Sequence, residues 1–574
     1  MNKIKKLRKY IIENNCNAYL VPKNNEYFEE YSEKRDRLRF VTNFSGSAGL
    51  AIILLKKNYL FVDSRYILQA KKEASKNFII YEISKINPFF FLNNIQEKIS
   101  IGYDPKLFTS DFINKFNNKN IFLVPISKNL IDLISNKKEK KNKSNYYLLE
   151  NKYHGSDFKE KIKTVIQFLK ENNIKLQIIT STENICWLLN IRGNESKYSP
   201  LIHGKLIIHN KGAILFFLDL KKINSSIKNS FKNKIKFLNE NLFINYIKKI
   251  ENSKILIDKK TCSLYIEKKL RIKNQILRIQ DPIYYLKSIK NNTEINNLKI
   301  AHLLDGIAFT KFIIWLKTRN KNKITEIIAQ NKLETFKKFS KEYLGPSFPT
   351  ISAYKENSAI VHYRATKNNN KFLFKNNIYL IDSGSQYFYG TTDVTRTIAI
   401  GKISNFQKKI YTLVLKSHLT VLNYNLQKNT SGDIIDLAAR KILNKYGYNY
   451  SHGTGHGVGF FLNVHEGTHA LSPNNKVKIT PGMVISNEPG FYKKNNFGVR
   501  IENLIFCKKI NKIRSKFENL TMIPYDLDCI DKKLLNKNEI NLINDYHQEI
   551  YFLIKSFLTK KEKYFFKKNL IKSN

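Results

Sequence analysis

Paired cysteines, long apolar runs and acidic charge are all scarce in this sequence, and each shortage closes off a class of protein. The five cysteines, Cys16, Cys186, Cys262, Cys507 and Cys529, are odd in number, scattered and free of CxxC spacing. They exclude a disulfide framework and a thiolate metal site, and they predict a reduced, cytoplasmic protein. No segment approaches the roughly 18 uninterrupted apolar residues of a membrane span. The basic N-terminus breaks at Glu13-Asn14-Asn15 before a signal-peptide core can form. Asp and Glu total 47 against 99 Lys and Arg, a formal net charge of +52. An excess of that size attracts polyanions at low salt. It is overwhelmingly lysine, however, spread along the whole chain and matched by a heavy load of asparagine and isoleucine. That pattern is compositional drift, and no specific nucleic-acid or membrane partner is expected.

With 574 residues, 42% of them hydrophobic and 13% aromatic, the chain exceeds one hydrophobic core and predicts roughly three domains. A faint internal repeat organises the first half. "KYIIENNCNAYLVP" (residues 9–22) aligns with "QFLKENNIKLQIIT" (167–180), each an amphipathic helix, a Glu-Asn-Asn ending and an apolar strand. Each copy is followed by an aromatic-to-glycine stretch, "FVTNFSGSAG" and "WLLNIRGNE". Two α/β domains of one ancestry follow from this. Their junction is placed in the lysine- and asparagine-rich run at 134–145, and a second boundary near 280–294. Beyond it a long helix begins, with Ile307, Phe309, Phe312, Ile313 and Leu316 as its core stripe. The C-terminal tail reads as one or two amphipathic helices.

Four of only 11 histidines fall in one glycine-rich segment, "SHGTGHGVGFFLNVHEGTHA", at His452, His456, His465 and His469. Histidines four apart suggest a zinc pair on a helix. Gly453, Gly455, Gly457 and Gly459 exclude the helix, since each costs a helix interior about 1 kcal/mol relative to Ala. Any metal site here must be built on loops and strands, with further ligands elsewhere.

The third domain supplies them. In "NIYLIDSGSQYFYGTTDVTRTIAIG" an apolar strand ends in Asp382, Gly384 and Gly390 mark a turn, and Asp393 opens a second strand. "ITPGMVISNEPGFY" runs a buried strand into Glu488, and "FGVRIENLIFC" reads as one strand carrying Arg500 and Glu502 on the same face. Taken singly, each acid has a dull explanation in a turn cap or a solvated edge. Together, four carboxylates at apolar strand ends are expensive to bury, and Arg500 alone balances too little. With His456 they make one imidazole and four carboxylates, enough for two divalent ions. Oxygen-dominated ligation favours a hard ion such as Mn²⁺, and such a pair lowers the pKa of a shared water toward about 7.

The motifs "IDSG…GTTDVTRT", "HGTGHGVGFFLNVHEG", "NEPG" and "GVRIEN" resemble the pita-bread metallopeptidases, and most closely the long, three-domain form of aminopeptidase P. "SFPTISAYKENSAIVHY" and "GSAGLAIILLKKNYLFVDSRYILQA" agree with it. The resemblance implies an α/β and α+β chain: two related creatinase-type N-terminal α/β domains (1–145 and 146–283), then a pita-bread catalytic domain with a C-terminal helical extension (284–574). It implies that Asp382 chelates one ion, His456 and Glu488 the other, and that Asp393 and Glu502 bridge them, with Mn²⁺ favoured over Co²⁺ or Zn²⁺. Glu488 would also move the proton. His362, His452 and His465 match substrate-side histidines, Arg65 a substrate-reaching arginine, and Arg500 an arginine behind the ligands. His469 is assigned a structural hydrogen bond. Thr468, Tyr389 and Asn487 depart from the family pattern, and none is a ligand. The implied activity is release of the first residue from peptides with proline second, by a homodimer. The rivals are a prolidase restricted to dipeptides, a methionine aminopeptidase, which the two leading domains disfavour, and a non-catalytic binding module.

Overall fold

Short strands that are apolar along most of their length need cover on both faces, and the central strands of the first half of the chain are of this kind. The computed structural model describes residues 3–31, 35–116, 118–135, 145–232, 234–319, 323–374 and 376–570. Most of the lysine-rich junction, residues 136–144, lies outside the described residues. The chain divides into two units, residues 1–149 with 156–283, and residues 150–155 with 284–574.

The first unit contains two six-stranded sheets. One comprises β1 (Ala18–Pro22), β2 (Leu50–Leu54), β3 (Asn58–Val62), β4 (Ile79–Glu82), β5 (Ile99–Tyr103) and β6 (Ile121–Pro125), in the order β4-β3-β2-β1-β5-β6. The other comprises β7 (Leu176–Ile179), β8 (Gly204–His209), β9 (Ile214–Leu218), β10 (Lys236–Asn239), β11 (Lys254–Asp258) and β12 (Gln275–Ile279), in the order β10-β9-β8-β7-β11-β12. The two orders are the same. β1 runs antiparallel to β2 and parallel to β5, and β7 runs antiparallel to β8 and parallel to β11. Helix α1 (Lys3–Glu13) buries Ile4, Leu7 and Ile11, and α2 (Phe158–Glu171) buries Ile162, Val165 and Leu169, at the same spacing ahead of the same strand. The internal repeat read in the sequence is therefore a duplicated α/β fold.

The second unit is antiparallel. β13 (Ile351–Tyr354), β14 (Asn377–Asp382) and β15 (Thr395–Ile400) form a three-stranded sheet with β14 central. Side chains alternate across β14. Tyr379 and Ile381 pack with Phe309, Phe312 and Leu316 of helix α3 (Asn292–Thr318) and Leu333 of α4 (Glu326–Lys337). Ile378 faces the other way, into a core with Ile410, Leu413 and Val414 of α5 (Asn405–Leu422). Of the stripe expected on α3, Phe309, Phe312, Ile313 and Leu316 share the first core, while Ile307 is partly buried against the second. Capping boxes at Asn291/Glu294 and Ser404/Gln407 start α3 and α5.

A six-stranded sheet of this unit comprises β16 (Leu426–Gln427), β17 (Gly455–Gly457), β18 (Glu466–Leu471), β19 (Val484–Asn487), β20 (Asn503–Lys509) and β21 (Arg514–Asn519), in the order β16-β21-β20-β19-β17-β18. Helix α6 (Gly432–Asn444) packs Ile435 and Ala439 against it. The tail forms two helices, α7 (Lys537–Ile554) and α8 (Lys560–Leu570). One expectation is corrected. "FGVRIENLIFC" is not a single strand: Phe497–Arg500 pairs with Gly490–Lys493 in a two-stranded ribbon, and β20 begins only at Asn503. The chain changes sheets at Ile501 and Glu502, so tertiary pairing overrides a continuous apolar pattern. All five cysteines are free and buried, and among the described residues no helix is long and apolar enough to cross a membrane.

Four histidines are sealed in the second unit. Burial pulls His302, His469 and His547 down to about 4 and His418 to about 3. Each is neutral when folded and regains its ordinary pKa when unfolded, so between those values the unfolded chain binds more protons. Their stabilisation is complete above about pH 6.5 and falls away below it, by about 1.4 kcal/mol per pH unit for each ring. The thermal midpoint of His302→Gln is expected to fall less than that of the unaltered chain as pH is lowered from 6.5 to 5. An identical fall in both would show that this ring is not held neutral.

Candidate metal centre

The second unit brings Asp382, Asp393, His456, Glu488 and Glu502 together from four separated stretches. Asp382 ends β14 opposite Thr395, and Asp393 lies two residues before β15 on the returning chain. Glu488 directly follows β19, Glu502 directly precedes β20, and His456 is the middle residue of β17. β17 is wedged between β18 and β19. A Cβ on Gly455 would lie 1.8 Å from the Ser486 carbonyl oxygen, and one on Gly457 would lie 2.4 Å from that of Glu466. Glycine on either side of His456 is thus a packing requirement.

His456 Nε2 is 3.5 Å from Asp393 Oδ2 and 3.5 Å from Glu488 Oε1. One donor atom from each of Asp393, His456 and Glu502 lies within 4.8 Å of the others. His456 Nδ1 donates to the Gly457 carbonyl at 2.9 Å, which places one ring proton there and turns Nε2 into the cluster. Arg500 Nη2 donates to Asp382 Oδ2 at 2.6 Å, while Asp382 Oδ1 is buried with no hydrogen-bond partner. Arg500 Nε donates to Thr395 Oγ1 at 3.0 Å, and that hydroxyl donates to Glu502 Oε2 at 2.7 Å. Although their strand is broken, Arg500 and Glu502 still meet on one side, through Thr395. The Ser486 hydroxyl accepts from His456 N at 2.9 Å and donates to Glu488 Oε1 at 3.1 Å.

The charges do not balance within the protein. Burial, with Asp393 and Glu488 adding to it against Arg500, pushes Asp382 up to about 7. Burial and the neighbouring Asp393, Glu488 and Asp382 push Glu502 well above the carboxylate range. Burial alone would lower His456, but Asp393 and Glu488 outweigh it and raise the ring to about 9. Burial likewise works to raise Glu488, and the charges of His456, His452, Arg500 and His465 hold it low instead. An orphaned buried carboxylate oxygen amid four converging acids is the environment of a divalent cation, and the donor set fits hard, oxygen-preferring ions.

The other expected residues are placed as follows. His465 stacks edge-on against His456 with ring centroids 4.4 Å apart. His452 Nδ1 donates to the Gly453 carbonyl at 2.7 Å, and Nε2 is 2.8 Å from the Tyr492 hydroxyl, which accepts from Arg500 Nη1 at 2.7 Å. His362 follows Val361, whose carbonyl oxygen is 3.5 Å from Arg500 Nη2. His469 Nε2 donates to the Val484 carbonyl at 2.9 Å, a structural bond as expected. Arg65 belongs to the first unit, on the turn Ser64–Tyr66, with Nε 2.8 Å from Asp63 Oδ1. Sequence reasoning missed Thr395, Tyr492 and Arg396. The first two stand two residues from Asp393 and Gly490, a spacing that marks a shared face in a strand. Arg396 carried no such signal. Its buried guanidinium donates to the carbonyls of Thr395 (2.9 Å), Glu502 (2.7 Å), Ile523 (2.5 Å) and Pro524 (3.1 Å), fixing the strand ends beneath the site.

Duplicated α/β folds preceding an antiparallel unit with a carboxylate-rich centre define a two-part metallopeptidase architecture, and comparison with known families agrees. Residues 296–509 match metallopeptidase family M24, and 515–570 match the C-terminal region of that peptidase. Residues 3–133 and 136–294 each match the creatinase/prolidase N-terminal domain. Xaa-Pro aminopeptidase 1 of Dictyostelium discoideum is 33% identical, across 96% of this chain and 92% of its own length. A probable Xaa-Pro aminopeptidase P of Botryotinia fuckeliana is 32% identical, across 96% of this chain and 89% of its own. The crystal structure of X-prolyl aminopeptidase from Caenorhabditis elegans, described as a cytosolic enzyme with a di-nuclear active site, superposes with a TM-score of 0.93 at 26% identity, covering 99% of this chain and 98% of that one. The chain belongs to the Xaa-Pro aminopeptidase family of M24 metallopeptidases, with two creatinase-type domains and a pita-bread catalytic domain.

The packing around β17 yields a direct expectation. Gly455→Ala would force its new methyl into the Ser486 carbonyl and part β17 from β19, at a cost of about 1–3 kcal/mol or more. Its thermal midpoint should fall by several degrees, and an unchanged midpoint would show that the close approach does not constrain the strand.

Proposed function

We propose that this chain is a metal-dependent aminopeptidase that releases the N-terminal residue from peptides whose second residue is proline, using two divalent ions held by Asp382, Asp393, His456, Glu488 and Glu502. The observation that carries the reading is the orphaned Asp382 Oδ1 facing a cluster in which Asp393, His456 and Glu502 already offer donor atoms within 4.8 Å of one another. In this assignment Asp382 would hold one ion, His456 and Glu488 the other, and Asp393 and Glu502 would serve both. When bound, such ions polarise the scissile carbonyl and supply a nucleophile at neutral pH. The oxygen-rich donor set favours Mn²⁺, with Co²⁺ and Zn²⁺ as substitutes.

The chain's own groups do the rest. Glu488, steadied by the Ser486 hydroxyl at 3.1 Å, accepts a proton and returns it to the departing proline nitrogen. That proton is needed because proline's tertiary amide must leave as an amine. His465 and His362 orient the carbonyl. Both nitrogens of His452 are occupied, by Gly453 and Tyr492, so it offers ring carbon to the pocket. Such a surface suits a residue that has no N–H to recognise. Arg65 is kept as a substrate-side candidate on resemblance alone, and a homodimer on the same ground.

Full-length similarity favours the aminopeptidase over a prolidase. The prolidase structure from Thermococcus sibiricus covers only 65% of this chain, with a TM-score of 0.54, whereas Xaa-Pro aminopeptidase 1 of Dictyostelium discoideum and the X-prolyl aminopeptidase of Caenorhabditis elegans match end to end. Metal-stripped protein should recover hydrolysis of Arg-Pro-Pro when Mn²⁺ is added, more than with Co²⁺ or Zn²⁺. Activity confined to dipeptides such as Ala-Pro would overturn the assignment in favour of a prolidase. Asp393→Ala should lose bound Mn²⁺ and at least about 100-fold in activity. Thr395→Val, which leaves every ligand in place, should weaken Mn²⁺ retention against a chelator by about 10- to 100-fold. Undiminished activity in Asp393→Ala would contradict its shared role.

A further inference from the structure

Glu326 is a carboxylate with no exposure at all, at the first position of α4, in a part of the second unit distant in sequence from every proposed ligand. Its two oxygens are both saturated. Oε1 accepts from the backbone N–H of Tyr354 at 2.7 Å and the Asn357 side-chain amide at 3.0 Å. Oε2 accepts from the Tyr363 hydroxyl at 2.8 Å and the backbone N–H of Lys371 at 3.0 Å. These four donors come from a single stretch, residues 354–371, and all are neutral. The Glu326 backbone joins in, with its N–H donating to Lys371 O at 2.9 Å and its carbonyl accepting from Ser352 Oγ at 2.6 Å. Burying an anion among neutral donors is costly unless each lone pair is used. Here each is used to close one loop.

His362 lies inside that loop, and the loop's other side is held against the ribbon that carries Arg500. Ser358 Oγ accepts from Gly498 N at 2.7 Å, and a Cβ on Gly498 would lie 2.0 Å from the Ser358 carbonyl oxygen, so the loop rests directly on the ribbon that carries Arg500. The residue before His362 turns its carbonyl toward Arg500, the partner of Asp382. The residue after it, Tyr363, is tied to Glu326. His362 is thus bracketed between the arginine behind a metal ligand and a saturated buried carboxylate.

We propose that Glu326 is a positioning residue for catalysis: it fixes the 354–371 loop so that His362 is held over the metal centre at the height the substrate carbonyl requires. The proposal rests on the reading of His362 as a substrate-side histidine. A misplacement of about 1 Å in such a group costs roughly 100-fold in rate, and a loop anchored by four bonds to one carboxylate cannot drift by that much. Glutamine has the same shape but replaces one acceptor oxygen with an NH₂ group. Two of the four donors would then face a donor, and the loop must shift.

A double-mutant cycle in the metal-loaded full chain tests this. Glu326→Gln should lower kcat/KM for Arg-Pro-Pro by about 10- to 100-fold, while two Mn²⁺ per chain are retained by metal analysis. In the His362→Ala background the same substitution should cost less than about threefold, because the group it positions is gone. An equal loss in both backgrounds would overturn the proposal, as would a lowered thermal midpoint with unchanged kcat/KM, which marks a purely structural role. If His362→Ala alone leaves kcat/KM intact, the reading of His362 fails, and the proposal with it. Tyr363→Phe removes a single donor and repeats the cycle with a smaller loss should Glu326→Gln not fold.

Discussion

Four carboxylates crowded into an interior where the neighbouring cationic groups are the Arg500 guanidinium and a few imidazoles set the terms for the rest of the second unit. Asp382, Asp393 and Glu502 are almost fully buried, and mutual repulsion adds to desolvation in driving Asp382 and Glu502 upward. An arrangement of that kind persists only if the fold over-determines it and a cation relieves it. The over-determination is visible. Arg500 binds Asp382 and Thr395, Thr395 binds Glu502, and Arg396 holds the carbonyls of Thr395 and Glu502 from beneath.

The fold provides the rigid ends on which these groups sit. Every proposed ligand lies at, or within two residues of, a buried strand, where side-chain direction is set by pleat and register. Close approach of β17 to β18 and β19 puts His456 where no bulkier flanking residue would let it sit. The loop that carries His362 has no strand to fix it. Its order comes from the buried carboxylate of Glu326 on one side and the Arg500 ribbon on the other. Buried strands thus place the ligands, and a polar staple fixes the loop that carries His362.

Much of this is legible in the sequence, for local reasons. The duplicated α/β halves show because an Ile/Leu stripe, a Glu-Asn-Asn ending and an apolar strand recur together, and both sheets adopt the same strand order. Asp382 is legible because it directly ends an apolar run, and Glu488 because it closes a strand just before a Pro-Gly turn, places where an acid needs an explanation. The glycines around His456 exclude a helix on propensity alone. What stays hidden depends on contacts between distant segments. "FGVRIENLIFC" is uniformly strand-like, and nothing local says that it leaves one sheet for another at Glu502. Arg396 looks like any strand arginine until Pro524 and Ile523 arrive from the C-terminal region to accept its hydrogen bonds. Glu326 looks like an ordinary first-turn helix acid.

By itself the sequence determined which residues can ligate, which stretches form strands, and that two halves share one topology, because residue type, apolar periodicity and glycine placement act over a few neighbours. Only the tertiary structure decided which way each ring proton points, which carboxylate oxygen is left without a partner, and which buried groups hold the others in place. Those properties arise where segments separated by tens to hundreds of residues meet in a medium too poor in water to screen them.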